Sequence, residues 1–132
     1  MKDAAAAWMA FAHRDLEAGR LLVDNEYVAN VVSFHAQQCV EKCLKALLED
    51  TGADIPRIHS IVKLLDLLPA QTQQFLDIDE EDLDLVDSVY TDTRYPNSLG
   101  LLASGFPARK STKRLVEIAT IVYERTDQAL TK

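Results

Sequence analysis

Residues 35–48 read HAQQCVEKCLKALL, and the spacing within this stretch decides the fold. Carried back to Tyr27 and placed on a helix at about 100° per residue, it divides into two faces. Val28, Val32, Ala36, Cys39, Val40, Cys43, Ala46 and Leu47 share one side, a core face. Gln37, Gln38, Glu41, Lys42 and Lys45 share the other, with Tyr27, Val31 and Phe34 among them. A solvated face has no need of two aromatic rings and a Val between amides and charges. The mixture predicts a surface that meets a second subunit, a partner or a ligand.

Working outward, residues from about Asp3 to Asp24 repeat apolar positions at helical spacing: Ala7, Trp8, Phe11, Ala12, Asp15–Leu16, Gly19, Leu22 and Val23. Gly19 inside a helix costs about 1 kcal/mol relative to Ala and suggests close packing against a neighbour. Asn25–Glu26 forms a break, the second helix runs from about Tyr27 to Asp50, and Gly52 stops it. So short a connection makes these two helices antiparallel neighbours. After a loop holding Pro56, the segment Ser60–Leu68 reads as a third helix, capped by Ser60 or His59 and ended by Pro69. Gln71–Leu76 adds a helical turn. Asp79 opens a fourth helix, because its acidic start suits the positive helix terminus, and that helix must end before Pro96. Thr93–Phe106 is one long irregular stretch, and Pro107 leads into a last helix reaching about Leu130. The expectation is a single all-α domain over residues 1–132, an antiparallel bundle of about five helices.

The whole chain bounds the function. Its 132 residues are 48% hydrophobic with four Gly and four Pro, enough for one core and too few turn formers for an all-β fold. A net charge of −7 argues against strong non-specific nucleic-acid binding, while leaving room for a local basic site. No signal peptide or membrane-spanning stretch is visible, and two Cys suit a reducing compartment, so a cytoplasmic protein is expected.

Several residues could carry chemistry. His35, Cys39 and Cys43 stand at four-residue steps, a spacing that can present metal ligands, but no further Cys completes a site and buried Cys packs as a small hydrophobe. We expect neither metal nor cofactor. Gln38, Glu41, Lys42 and Lys45 form a polar ridge that serves either as helix-stabilising ion pairs or as a nucleotide and phosphate site. His59 is either a capping residue or an acid–base group beside that site. Arg94 and Tyr95, following Asp92, could bind phosphate in a bidentate manner, or simply close the fourth helix. Arg109, Lys110, Lys113 and Arg114 make the start of the last helix a further anion candidate.

Asp15, Leu16 and Ala18, then Tyr27, then FHAQQCVEKCLKALL, then His59 before a Leu-rich helix, then Tyr90 before TRYP, together resemble the HEPN domain in its small stand-alone prokaryotic form. The resemblance runs from about Asp15 to Pro96 and takes in the final helix. It implies an all-α bundle that forms a homodimer; the two rings on the mixed face of the second helix, Tyr27 and Phe34, are the residues expected at a dimer or partner interface. It also implies a minimal nucleotidyltransferase as partner, as in toxin–antitoxin pairs. Active relatives are metal-independent ribonucleases in which an Arg and a His, four to six residues apart, line a cleft between subunits. A related pattern has an Arg and a later Tyr that the partner adenylylates. This chain has no Arg followed by His at that spacing, and Arg94 and Tyr95 are adjacent. Arg94 maps onto the cleft Arg, with Tyr95 and Asp92 beside it as catalytic candidates. Three readings stay open: a nucleotide- or RNA-binding subunit, an active ribonuclease, and a non-catalytic dimeric interaction module.

Overall fold

The computed structural model describes residues 1–92 and 109–131, and gives the backbone alone at 90–92 and 109–110. Arg94, Tyr95, the irregular stretch and Pro107 lie outside the described residues, as does the side chain of Asp92. The described chain is all-helical: α1 (Asp3–Leu22), α2 (Ala29–Thr51), α3 (Ile61–Asp66), α4 (Ala70–Leu76), α5 (Glu80–Asp92) and α6 (Arg109–Leu130). A single 3-10 turn, Glu26–Val28, stands before α2.

Local chemistry sets the boundaries. Asn25 caps the 3-10 turn, its Oδ1 accepting the Tyr27 N–H at 3.1 Å. Gly52 ends α2 in the left-handed region at φ 83°, and its N–H bonds the Glu49 carbonyl at 3.0 Å. Ser60, rather than His59, caps α3: its Oγ accepts the Lys63 N–H at 3.2 Å. A second cap comes from outside the helix, where Asp87 Oδ1 accepts the Ile61 N–H at 2.6 Å and the Ser60 hydroxyl at 3.2 Å. The turn expected at Gln71–Leu76 is a helix of its own, because Pro69 breaks the chain and presets a new start. Asp79 opens α5, its Oδ1 accepting the Asp82 N–H at 2.9 Å.

The three long helices carry the core. Trp8 lies against Lys45 and Asp15 against His35 and Lys42, so α1 and α2 run antiparallel. Arg20 reaches Thr120 and His13 stacks near Tyr123, so α1 is also antiparallel to α6. Ser33 meets Thr112 and Cys39 meets the Ala119 carbonyl, so α2 and α6 point the same way. The α3–α5 connection returns the chain to allow this. Ala36, Cys39, Val40, Cys43, Leu44 and Leu48 of α2 form one buried cluster with Leu16 of α1, Ile61 and Leu64 of α3 and Ala119 and Val122 of α6. Each fully buried aliphatic side chain contributes about 1.5–3 kcal/mol.

Two details differ from the sequence reading. The buried stripe of α1 is Ala5, Met9, Ala12, Asp15, Leu16 and Gly19, while Ala7 and Phe11 face outward. Apolar residues occur on more than one side of α1, so its phase was ambiguous from spacing alone. At Gly19, an added methyl would sit 3.7 Å from Val116 Cγ2 and 3.9 Å from the Val32 carbonyl oxygen. The helices pass close there, yet leave room for a methyl.

Candidate functional site

The polar side of α2 divides between interior and rim. Gln37 (0% exposed), Glu41 (3%) and Lys45 (6%) are buried within this one chain, not turned outward toward another. For these three, the neighbours anticipated from the ring-and-charge mixture are α1 and the approach to α3. The α2 helix sits at the centre of the bundle, so even its polar face is largely covered. Gln38, Lys42 and Phe34 are half-buried at the rim, whereas Tyr27 is exposed.

Burying those groups requires partners for each. Glu41 supplies most of them. Its Oε2 accepts from Lys45 Nζ at 3.1 Å, its Oε1 accepts from Gln37 Nε2 at 3.3 Å, and Oε1 lies 3.2 Å from His59 Nδ1. Gln37 Nε2 also approaches the His59 carbonyl at 3.4 Å, and its Oε1 accepts from Gln38 at 2.8 Å. Lys45 lies over the Trp8 ring, 5.5 Å from its centroid, where a cation is attracted to the π face. The Glu41–Lys45 pair is thus an interior ion pair, not the surface pair that four-residue spacing most often signals.

A second carboxylate organises the α1 side. Asp15 accepts from Lys42 Nζ at 2.5 Å through Oδ2 and lies 2.8 Å from His35 Nδ1 through Oδ1. An ionised carboxylate only accepts, so each imidazole presents Nδ1–H to its acid and turns Nε2 away. His35 and His59 are therefore both oriented by buried carboxylates. Their side chains keep 31% and 49% of their surface exposed. Asp15 stood in the sequence beside Leu16, in phase with Ala12 and Gly19, and a charge on that inward stripe was the sign of a buried pair. His35 was weighed only as a metal ligand. Among the described residues no His, Cys, Asp and Glu group could hold a metal.

The structure brings Gln38, Glu41, Lys42, Lys45 and His59 into one seam between α1, α2 and the start of α3. It also joins Asp15 and His35 to them. Of the basic start of α6, the side chains of Arg109 and Lys110 lie outside the described residues, Lys113 is 4.0 Å from Asp24, and Arg114 grips Asp82 through Nε (3.1 Å) and Nη2 (2.5 Å). Both cysteines are free and buried. The Cys39 thiol is pushed well up from its ordinary value by its hydrogen bond with Cys43 and by burial, so it is inert as a nucleophile. No described helix is long and apolar enough to cross a membrane.

The fold has solved counterparts. TT1696 from Thermus thermophilus superposes with a TM-score of 0.78 at 25% identity, covering 96% of this chain and 98% of that one. ST0689, described as an archaeal HEPN homologue, superposes with a TM-score of 0.72 at 27% identity, over 98% of each chain. No curated protein matches the sequence. A family model of the HEPN domain matches residues 5–129, nearly the whole chain, and the protein belongs to the HEPN domain family.

Proposed function

We propose that this HEPN protein is the phosphate-binding member of a pair formed with a minimal nucleotidyltransferase, and that its α1–α2–α3 seam receives a nucleotide or RNA phosphate. One observation carries the reading. The rim groups Lys42 and His59 are each held by a buried carboxylate, Asp15 and Glu41, and so are fixed in direction before any ligand arrives. An ammonium has three N–H donors, so Lys42 can donate to a phosphate oxygen without releasing Asp15. Gln38 adds an amide at the same rim. The interior pair Glu41–Lys45 acts from behind, positioning His59. Asp15 and Glu41 also repel an incoming anion, so affinity on this seam alone is modest. Arg94, with its planar fork, is the group that completes a phosphate clamp in this reading, with Tyr95 and Asp92 beside it.

The test is a titration of the purified protein with adenosine triphosphate and with a short oligoribonucleotide, followed by calorimetry. Lys42→Ala and Arg94→Ala are each expected to weaken binding about tenfold, the loss of one charge-assisted contact. Wild-type affinity in both variants would overturn the seam assignment. RNA cleavage leaving 2′,3′-cyclic ends would replace the binding role with a ribonuclease role. Co-purification with a nucleotidyltransferase encoded alongside tests the pairing.

A second reading, a homodimeric interaction module, has its own observation. Leu21 is 84% and Tyr27 78% exposed where α1 turns into α2, close in sequence to half-buried Val31 and Phe34. Large apolar groups gathered at one end suit an interface between two copies. A monomer at micromolar concentration by sedimentation would remove it.

A further inference from the structure

Where α1 meets α2, two aromatic rings one turn apart face two lysines one turn apart. Lys45 lies over Trp8, and Lys42 over Phe11. The two pairs serve different ends. Trp8 packs against the core cluster and Lys45 is buried, so that pair belongs to the interior. Phe11 is 51% exposed, and Met9, Ala12 and Leu16 fill the core side of α1 without it. Its ring centroid is 5.0 Å from Arg14 Cζ and 5.9 Å from Lys42 Nζ. Arg14 makes no ion pair among the described residues, although the chain carries a net charge of −7. Lys42 is steadied by Asp15, a carboxylate it shares with His35. A cation against an exposed ring contributes less than burying a Phe does. The contact therefore accounts for where Phe11 points, and not for a large ring standing half in water beside an unpaired guanidinium.

We propose that Phe11 is a stacking platform for a nucleobase, so that the ligand of the α1–α2–α3 seam is a base joined to a phosphate and not a bare polyanion. This rests on the seam reading, because Lys42 is shared: it is the phosphate donor of the seam and a cation beside the Phe11 ring. A phosphate held at Lys42 leaves the rest of its nucleotide next to Phe11. Every base has a π face, so stacking there is tolerant of sequence. An Arg laid against a ring keeps its N–H edge for a phosphate oxygen, which gives Arg14 a use that no carboxylate of the chain supplies. Rings interleaved with cations suit an unpaired strand, base on ring and backbone on cation. Bases inside a duplex are already stacked on one another, so the platform selects unpaired ones. A second copy of the chain suits this face less well, since two-fold pairing through it brings two unpaired guanidiniums together.

The experiment titrates the full chain with adenosine triphosphate, a single-stranded oligoadenylate and inorganic tripolyphosphate, followed by calorimetry. Both adenine ligands are expected to bind more tightly than tripolyphosphate, and the tighter of the two distinguishes a strand from a free nucleotide. Phe11→Leu should weaken both adenine ligands by about tenfold and leave tripolyphosphate unchanged, while Phe11→Trp should bind them as the wild type does. Arg14→Ala should weaken all three. Adenine proton resonances should move upfield on binding to the wild type and not to Phe11→Leu. Circular dichroism of each variant verifies folding, and Phe11 stands outside the core. Equal affinity for adenosine triphosphate and tripolyphosphate, or wild-type affinity in Phe11→Leu, would overturn the inference and leave the seam reading to Lys42→Ala. Weakening in Phe11→Leu with none in Lys42→Ala would keep the platform and refute the seam. Binding of none of the three ligands would overturn both. Self-association of the wild type that Phe11→Leu abolishes would assign the ring to a second copy instead.

Discussion

Replacing Glu41 by Leu should be among the most damaging single changes in this protein, and the structure says by how much relative to its neighbours. Glu41 is buried and faces Lys45, Gln37 and His59 at once. Removing the carboxylate leaves the Lys45 ammonium in the interior with only the Trp8 ring nearby. Breaking a buried pair from one side costs about 3–5 kcal/mol. That is a large part of a total stability of roughly 5–15 kcal/mol. The reverse change, Lys45→Met, is milder. Glu41 keeps its hydrogen bonds with Gln37 and His59, so the loss falls to about 1–3 kcal/mol. The double variant, with apolar groups of similar volume at both positions, should recover most of the stability and come within about 1–2 kcal/mol of the wild type. Guanidinium unfolding followed by far-UV circular dichroism measures all three and closes the cycle. Losses that simply add, or a Glu41→Leu cost below about 1 kcal/mol, would refute the claim of an interior ion pair.

Asp15→Asn should cost about 1–2 kcal/mol, less than Glu41→Leu, because Lys42 and His35 stand at the rim and water can replace their lost partner; urea unfolding ranks the two. Both the Cys39 thiol and the Tyr123 phenol are held above their ordinary values of 9.0 and 10.0, the first mainly by a hydrogen bond with the free Cys43 thiol, the second by burial. Their contribution is therefore intact below about pH 9 and is lost as pH rises through the folded values, so the unfolding midpoint should fall on the alkaline side. At pH 8 Cys39 should react with iodoacetamide only after unfolding. Gly19→Ala should raise stability by about 0.5–1 kcal/mol, since the methyl fits and the helix gains propensity, whereas Gly19→Leu should lower it; thermal unfolding of the pair decides.

Much of the fold was legible because α2 and α6 carry strongly periodic patterns. Leu115, Ile118, Ala119, Val122 and Thr126 stand at helical spacing along α6 and are all buried. Helix boundaries were legible where they act locally: Gly52 ends α2 through its left-handed backbone, and Ser60 and Asp79 open α3 and α5 through side-chain caps. The face of α1 was misread because Phe11 is apolar yet exposed, its ring lying beneath Arg14 and Lys42 instead of in the core. The seam was half legible. The residues on α2 were found from their shared face, but a helical wheel carries no information on what covers that face. Burial of Glu41 and Lys45 depends on Trp8 and on the approach to α3, both distant in sequence. The Asp87 cap on α3 is of the same kind, a contact across 26 residues that no local pattern encodes. Arg94, Tyr95 and the side chain of Asp92 fall outside the described residues.

The most direct measurement is an amide and side-chain NMR titration of the protein with a short oligoribonucleotide. Binding at the α1–α2–α3 seam should give shifts centred on Gln38, Lys42 and His59, saturating together and absent in Lys42→Ala. Shifts confined to α5 and α6, or none at all at millimolar ligand, would contradict it.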